Sequence, residues 1–460
     1  MKNFLFEKKT LLVGVPLLLL CVIVALVLVI ILGGDDGPQP DQITITYAHW
    51  NMDHDNALEL RMIQAFMDKH PHIYVEIDEN IRNPWMQSLA AAASANRLPD
   101  VFMIDDLGAK VANGWLMDIT SLAVGDIDYF DLPRIVQEAV LVNGAVFALP
   151  FAQDIHGYFV NRDLFIAMGM EPPAFGISAE DFFDAVRAAT DLSRPSIGLN
   201  HTFSFVEWYP GAVRADRGFF AYDGTGFALN SPEMLEAVRV AAELYSMGYS
   251  FNSIPTDRVA GYFPIGYDLG AFRIGQMAFF YGGAGLMNMM VNQVYFDWDF
   301  IGVPGGRAIT TLEVIGISAD TNHPEEAYLL ARWMGHSTEG NLRRMEYARE
   351  MGIITDSLPI STNRQVLENL RQIIPAPGLM GVYNAMDRAL IDGHRVLPGY
   401  MQARYTAPTG ISIAGTQHVN VGVHLLLRYS IIGDVNFADY SAIAESIARQ
   451  QLEAALAGLR

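Results

Sequence analysis

The hydrophobic positions along the chain follow two alternating spacings. Short, β-branched runs predict strands at Ile43–Tyr47, Ile73–Ile77 and Val101–Ile104. Between them, apolar residues recur at every third or fourth position, which predicts one helix that begins near Leu58 and a second at Trp85–Ala95. Strands that alternate with helices indicate an α/β fold with a parallel sheet.

Helical spacing returns further along the chain. The predicted helices are Ala179–Thr190, Pro232–Met247, Pro324–Met334 and Ala438–Leu456. With 460 residues, of which 51% are hydrophobic, the chain is longer than one ordinary core requires. The length therefore predicts two lobes.

One apolar run is long enough to cross a membrane. Leu11–Leu32 holds 22 residues without a charge, which is about 33 Å as a helix. It predicts a single-pass anchor or an uncleaved signal. Lysines precede it and Asp35 and Asp36 follow it, so residues 1–10 are expected to be a cytoplasmic stub and the body to lie outside the cytoplasm. Residues 33–42, rich in turn formers, predict a tether.

The charge balance narrows the class of partner. The formal net charge is −21, and such a surface repels nucleic acid and anionic ligands, so no nucleic-acid partner is expected. Neutral or cationic ligands are favoured. The single cysteine, Cys21, lies inside the apolar run, so the body is expected to be stabilised by packing and not by disulfides.

Common catalytic and metal-binding motifs are missing from the sequence. There is no G-x-S-x-G, no H-E-x-x-H, no phosphate-binding P-loop and no G-x-G-x-x-G after a strand. Asp126, Asp128 and Asp131 resemble a calcium loop only loosely, since Asp131 stands where that loop needs glycine. His70 and His72 flank a proline in a turn. The expectation is a protein that is not an enzyme and that uses no metal and no cofactor.

Several segments, in this order, carry a resemblance to a known family. They are Tyr47–Trp50, Leu98–Phe102, Asn113–Leu116, Ala148–Asp154 and Val160–Phe165. Together they resemble the maltose-binding type of extracellular solute-binding protein, family 1. The similarity covers roughly Ile43 to Gln372 and a final helical stretch from about Asn436, whereas the segment near Gly393 to Arg428 matches nothing that we can place.

The resemblance implies a two-lobed, class II periplasmic-binding-protein-like fold that closes on ligand by hinge motion. Each lobe would be a sheet flanked by helices. The first lobe would comprise residues 43–150 and 303–371, and the second would comprise 151–302 and 372–460, with 393–428 as its less family-like segment.

The same resemblance implies a receptor that captures a neutral, polyhydroxylated ligand, a sugar or oligosaccharide, and delivers it to an ABC importer. Its partners would be the carbohydrate, the permease subunits and the membrane, with the protein a monomer. Two alternatives stay open, namely a membrane-anchored carbohydrate sensor or scavenger without a permease, and an extracellular carbohydrate-active enzyme.

Candidate ligand contacts follow two of the predicted strands. In open α/β sheets a ligand binds beyond the carboxyl ends of the strands. Trp50, Asn51 and Asp53 follow the first strand, and Asp105 and Asp106 follow the third. Each aspartate has a structural alternative, because Asp53 could cap the next helix and the other two could hold their loop.

The resemblance adds contacts at the first hinge crossing and in the second lobe. It implies a ligand-binding acid at Asp154, beside Gln153 and near Tyr158. The further aromatic candidates are Trp208, Tyr281, Trp298 and Tyr383, with Arg404 as a weaker one. Where the family commonly carries a ligand-stacking tryptophan, this chain has Gly282, Gly283 and Ala284.

Overall fold

The computed structural model describes residues 37–50, 57–355 and 357–459. The predicted anchor Leu11–Leu32 and the predicted ligand contacts Asn51 and Asp53 lie outside these ranges. Within them, no helix is both long and apolar enough to cross a bilayer.

A mixed sheet of nine strands runs through the described part of the chain, in the order β2-β1-β3-β10-β6-β8-β7, with β11 beside β10 and β9 beside β6. A separate small hairpin joins β4 to β5. The strands are β1 Ile43–Ala48, β2 Ile73–Ile77, β3 Val101–Ile104, β4 Leu141–Val142, β5 Ala145–Val146, β6 Ala148–Asn161, β7 Ile197–Leu199, β8 Met277–Gly282, β9 Trp298–Phe300, β10 Ile309–Ile317 and β11 Leu390–Asp392.

Helices cover the sheet and fill the connections. The α-helices of the described residues are α1 Ala57–Lys69, α2 Trp85–Ser94, α3 Leu107–Ala112, α4 Thr120–Val124, α5 Ile127–Phe130, α6 Arg134–Ala139, α7 Arg162–Ala167, α8 Ala179–Ala188, α9 Phe205–Val213, α10 Pro232–Ser246, α11 Thr256–Tyr262, α12 Asp268–Arg273, α13 Met287–Gln293, α14 Pro324–Met334, α15 Thr338–Met351, α16 Arg364–Ile373, α17 Pro377–Asn384, α18 Val423–Ile431 and α19 Ser441–Ala457. Short 3₁₀ turns occur at Phe219–Ala221, Phe251–Ser253, Ala284–Leu286, Met386–Arg388 and Phe437–Asp439, and a π-helical turn at Gln402–Thr406.

Local patterns predicted three of these strands and six of these helices within a few residues of their ends. The three predicted strands are present as β1, β2 and β3, and β1 pairs in parallel with both neighbours. The prediction of a parallel sheet holds for these strands and for the pairs β10–β11 and β7–β8. It fails at the centre of the sheet, because β10 pairs antiparallel with β3 and with β6. Strand β10 returns from the other lobe and therefore runs antiparallel to β3. No local sequence pattern indicates that direction.

Strand β6 passes without interruption from one lobe into the other. Its first part, up to His156, pairs with β10, and its last part pairs with β8 and β9. A second segment crosses beside it, where Gln153 and Leu358 exchange backbone hydrogen bonds of 3.1 and 2.8 Å. The lobes are therefore joined by a short stretch of sheet at the base of the interlobe cleft.

Each lobe has its own packed interior. The first-lobe core contains β1, β3 and the first residues of β6, with Phe66, Phe102 and Trp333 among its largest side chains. The second lobe has two cores, one around Phe182 and Trp208 and one around β8 and β9. The α/β fold is two-lobed, while the residue boundaries predicted for the lobes stay a prediction.

Helix starts follow ordinary capping chemistry. The Ser231 side chain accepts a hydrogen bond from the Met234 amide, and Pro232 occupies the first turn of α10, where its missing N–H costs nothing. The Asn161 side chain accepts from the Leu164 amide at 3.0 Å and so ends β6 and begins α7. These caps place the second-lobe helices relative to the crossing strand.

Two glycines pack against each other where β6 enters the second lobe. A Cβ added to Gly157 would lie 2.6 Å from the Cα of Gly302. The backbones meet there because the Tyr158 amide donates to the Gly302 carbonyl at 2.8 Å. Neither backbone can retreat without breaking sheet hydrogen bonds.

We therefore expect Gly157→Ala to lower the free energy of unfolding by about 1–3 kcal/mol, the usual cost of overpacking. Gly261→Ala is the matched control, because Gly261 lies in a helix with open space around its Cα and alanine is favoured there by up to about 1 kcal/mol. Denaturant titration of both variants checks this. Equal stabilities would contradict the packing argument.

Candidate functional site

A row of polar side chains lies on one face of the strands that join the lobes. Asp154 on β6 is directly opposite Thr311 on β10, and Thr311 is directly opposite Asp392 on β11. Opposed residues share a face of the sheet, and so do alternate residues of one strand. His156 therefore lies beside Asp154, and Glu313, opposite Ala152, extends the row. We call Asp154, His156, Thr311, Glu313 and Asp392 the cleft floor.

The Asp154 carboxylate contacts His156 on its own strand and the amide of Ala284, which follows β8. One carboxylate oxygen lies 2.9 Å from Nε2 of His156, and the other accepts a hydrogen bond of 2.8 Å from the Ala284 amide. A Cβ added to Gly283 would lie 2.7 and 2.9 Å from the two carboxylate oxygens. The Asp154 carboxylate thus occupies the space that a side chain at residue 283 would need.

The surroundings of Asp154 and His156 shift the pKa of each group toward its charged form. Burial acts to raise the pKa of Asp154, but the hydrogen bond and charge of His156, with the Ala284 amide and Arg395, lower it. Burial acts to lower the pKa of His156, but Asp154, Glu207 and Asp392 outweigh it and raise that pKa. Each partner therefore favours the charged form of the other, and both side chains are partly exposed.

The second lobe supplies an aromatic and charged wall. Burial and the nearby Glu207 raise the pKa of Tyr281 well above its ordinary value, so its hydroxyl stays protonated and donates to Glu207 at 3.3 Å. The Tyr281 and His156 rings lie 6.2 Å apart. Arg404 is buried and donates to both Glu207 and Tyr400.

The first lobe supplies the opposite wall through Trp50 and Glu313. The guanidinium carbon of Arg395 lies 4.6 Å from the centroid of the Trp50 ring, and Arg395 is ion-paired with Glu313 at 3.0 Å. At the other end of the floor, Asp392 lies 3.6 Å from Nδ1 of His394. Burial acts to raise the pKa of Asp392, but His394 and Arg404 lower it.

A cavity of about 360 Å³ adjoins the cleft floor at Ala152 and Glu313. Residues of the first lobe, of the segment that crosses near Leu358, and Asn288 of the second lobe surround it. A volume of about 300–1,000 Å³ is typical of small-molecule sites. Its lining includes His49, Leu58, Glu59, Phe151, Asn341, Arg344, Met345, Ile354 and Pro359.

The structure brings together three of the predicted contacts. Asp154 is on the cleft floor, and Trp50 and Tyr281 stand on opposite sides of it. The side chain of Phe280, the residue before Tyr281 in β8, is buried. Asp154 and the two rings give the cleft an acid between two aromatic faces, and ligand contact by these three side chains is taken up below as a proposal.

Five other predicted contacts are packed in the protein interior. Trp208 donates to the Tyr158 hydroxyl at 3.1 Å, and Trp298 lies in β9 against β6. The Gln153 amide nitrogen and the Tyr383 hydroxyl both donate to the Pro359 carbonyl, at 2.8 Å each. Gln153 is on the face of β6 opposite to Asp154, whereas Tyr158 and Trp208 belong to one second-lobe core and Trp298 and Tyr383 to the other. The five buried residues are Gln153, Tyr158, Trp208, Trp298 and Tyr383.

The two aspartates after β3 hold their own loop. Asp106 accepts a hydrogen bond of 2.9 Å from the Ala109 amide and so caps α3, and Asp105 is ion-paired with Lys110 at 2.6 Å. This is the structural alternative that the sequence left open. Arg404, a weaker candidate, is buried beneath the cleft, where it donates to Glu207 and lowers the pKa of Asp392.

Sequence reasoning missed His156, Glu207, Glu313, Asp392 and Arg395. Only His156 had a usable signal, because it follows Asp154 by two residues in a strand and must share its face. The other four are brought to the cleft by distant segments of the chain. Their positions depend on the tertiary fold.

The carboxylates of the acidic loop that resembled a calcium site are paired with other side chains of the protein. Asp126 accepts hydrogen bonds from Arg332, at 3.0 and 2.8 Å, and lies 2.9 Å from Nε2 of His336, while Asp128 accepts from Thr338 at 2.8 Å. Among the residues that the structure describes, no group of three or more His, Cys, Asp or Glu side chains is arranged to hold a metal ion.

Comparison with known families gives one match over more than half of the chain. The sequence profile described as bacterial extracellular solute-binding protein matches residues 53–337. The matched region begins near α1 and ends at the start of α15. It contains β6, β10 and most of the cleft floor, but not β11 or Arg395.

Solved structures with the same fold include several sugar-binding proteins. An ABC substrate-binding protein from Listeria monocytogenes, in complex with cycloalternan, superposes with a TM-score of 0.66 at 19% identity, over 90% of this chain and 100% of that one. The cyclic alpha-maltosyl-1,6-maltose binding protein from Arthrobacter globiformis gives 0.65 at 17% identity, over 90% and 100%. The sugar-binding protein MalE from Xanthomonas citri gives 0.64 at 15% identity, over 90% and 98%.

The Asp154–His156 pair predicts a pH effect on stability. Because the pKa of His156 is raised in the folded protein, its stabilisation is complete below about pH 6.5, the ordinary pKa of histidine, and is lost as the pH rises through the folded pKa. We expect His156→Gln to destabilise the protein most at about pH 6, with the difference from wild type shrinking toward pH 8.5.

Urea denaturation of both proteins across this pH range checks the expectation. The control is the same substitution in an Asp154→Asn background, where the acid that raises the pKa of His156 is gone. There the pH-dependent difference should largely disappear. A difference that persists unchanged in that background would assign the effect to another group.

Proposed function

Because the chain belongs to the bacterial extracellular solute-binding protein family, we propose that it is a receptor that binds a neutral, polyhydroxylated ligand, a sugar or oligosaccharide, in the interlobe cleft. Closure of the two lobes about β6 and β10 would trap the ligand between Trp50 and Tyr281. Asp154 would accept hydrogen bonds from ligand hydroxyls.

One observation carries this proposal: each acid of the cleft is paired with a basic side chain. Asp154 faces His156, Glu313 faces Arg395, Asp392 faces His394 and Glu207 faces Arg404. Such a surface offers strong hydrogen-bond acceptors and donors. A ligand with hydroxyls and no formal charge uses these groups without leaving a buried charge uncompensated.

Aromatic rings on both walls support the same ligand class. The ring faces of a sugar carry C–H groups, and aromatic side chains bury such apolar faces well. Trp50 comes from the first lobe and Tyr281 from the second. The solved structures of similar fold that bind or are named for sugars agree with this reading.

Three further parts of the proposal concern the setting of the receptor. Leu11–Leu32 would anchor it to the cell membrane with the lobes outside the cytoplasm. The closed, ligand-bound form would be recognised by the permease subunits of an ABC importer, and the receptor would act as a monomer. The lobes would be formed by residues 43–150 with 303–371, and by 151–302 with 372–460.

A ligand panel tests the ligand class. We expect tagatose, maltose or cycloalternan to raise the melting temperature of residues 37–460 by a few degrees, since ligand at 100 times its dissociation constant stabilises by about 2.7 kcal/mol. Differential scanning fluorimetry measures the shift. Citrate and a dipeptide serve as charged comparators. A shift with these alone, and with none of the sugars, would contradict the proposal.

Substitution of the central acid tests the site. Asp154→Asn should weaken sugar binding by about tenfold to a hundredfold, because a hydrogen bond to a charged group contributes about 1.5–3 kcal/mol. Titration calorimetry with the sugar that binds wild type best measures the change. Asp184→Asn is the matched control, since that aspartate pairs with Arg187 and is 70% exposed.

The same pair of variants separates a receptor from an enzyme. For a receptor, the Asp154→Asn protein binds weakly and neither protein consumes the sugar. Hydrolysis of a glycoside by the wild type that Asp154→Asn abolishes would replace the proposed function with a carbohydrate-active enzyme. Equal affinity of all three proteins would remove Asp154 from the site.

A further inference from the structure

A segment outside the family match connects the two lobes across the cleft. Within it, β11 adds to β10, and the Arg395 carbonyl then accepts a hydrogen bond of 2.8 Å from the Leu107 amide at the start of α3. Pro398 packs on Gly108, where an added Cβ would lie 2.8 Å from the proline Cγ. Both contacts dock the segment on the first lobe.

The other end of this segment is embedded in the second lobe. Tyr400 and Ala403 are buried in the second-lobe core, and Leu397 packs against that core. Val396 packs against the first-lobe core instead. Residues 393–400, which we call the strap, therefore hold Arg395 at a fixed place between the lobes.

The Arg395 side chain lies over the Trp50 ring. Its guanidinium carbon lies 4.6 Å from the ring centroid, its Nη1 lies 3.0 Å from Glu313, and its Nε donates to Nε2 of His394 at 3.2 Å. A guanidinium at this distance is attracted to the face of an indole ring, the best aromatic partner for a cation. The ion pair with Glu313 adds to that attraction.

Trp50 has a different contact with its neighbour Trp85. Those two rings meet at 77° with centroids 5.6 Å apart, so their contact is edge to face. Sugar stacking needs an open ring face, and Arg395 lies over a face of Trp50. The guanidinium and a sugar ring cannot occupy that face together.

We propose that Arg395 is a specificity-determining residue that acts as a built-in occupant of the Trp50 face, so that a sugar reaches this face only by displacing the guanidinium. This inference rests on the proposed function and extends it. It selects ligands with enough other hydrogen bonds in the cleft to offset the loss of the Arg395 contact. Ligands that rely mainly on stacking are rejected.

The test compares Arg395→Ala, Arg395→Lys and wild type by titration calorimetry with cycloalternan and with tagatose. Removal of the occupant should tighten binding of at least one sugar by about fivefold, the scale of one cation–π contact. Lysine keeps the charge beside Glu313 but lacks the planar group, so its affinity should fall between the other two. Arg162→Ala, which removes an ion pair with Asp297, is the control.

A second readout needs no ligand. Acrylamide quenching of Trp50 emission, taken as the difference between each protein and its Trp50→Phe counterpart, should rise about twofold when Arg395 becomes alanine, because the ring face is uncovered. Quenching of the Trp50→Phe counterpart by itself shows that the Arg395→Ala protein is folded, since Trp208 in the core keeps its protection.

The outcomes separate the inference from the proposed function. Tighter binding with increased quenching supports the built-in occupant. If Arg395→Ala binds the sugars more weakly than wild type or equally well, the built-in occupant is overturned. Arg395 is then a ligand contact in the first case and has no role in binding in the second. Sugar binding by wild type still supports the proposed receptor in both cases. Unchanged quenching of Trp50 overturns the built-in occupant as well. If wild type binds neither sugar, the proposed function fails for them, and the inference stands only if Arg395→Ala acquires binding.

Discussion

The antiparallel pairing of β6 with β10 is the constraint on which the cleft depends. One continuous strand belongs to both lobes, and its alternating side chains divide into two sets. Asp154 and His156 face the cleft, whereas Gln153 and Ile155 are buried beneath it. The strand that joins the lobes is thus also the strand that presents the central acid.

Local sequence patterns predicted much of the fold because strands and helices depend mainly on near neighbours. The strands β1 to β3 and the helix Pro324–Met334 have the predicted bounds within one residue. The direction of β10 was not predictable in this way, since it depends on a chain that returns from the second lobe. The two lobes therefore followed from the chain length and the family resemblance, whereas the periodicity predicted individual strands and helices.

The candidate site was harder to predict than the fold, for two physical reasons. Residue type does not show whether an aromatic ring stacks on ligand or fills a core, and Tyr158, Trp208 and Trp298 are core residues here. Charge pairing across long sequence distances is also invisible in one sequence. Glu207 on α9 meets Arg404, and Glu313 on β10 meets Arg395, only because the strap and the π-helical turn after it fold against the same cleft.

The close approach of Gly283 to Asp154 links two positions that lie far apart in the chain. A bulky ring at 283 requires the carboxylate to leave its place beside the Ala284 amide, and a carboxylate in its present place requires glycine. A ring at 283 and the carboxylate in its present place are therefore mutually exclusive. Any exchange of this glycine for a larger residue also moves the central acid, so the two positions form a single unit for redesign of the cleft.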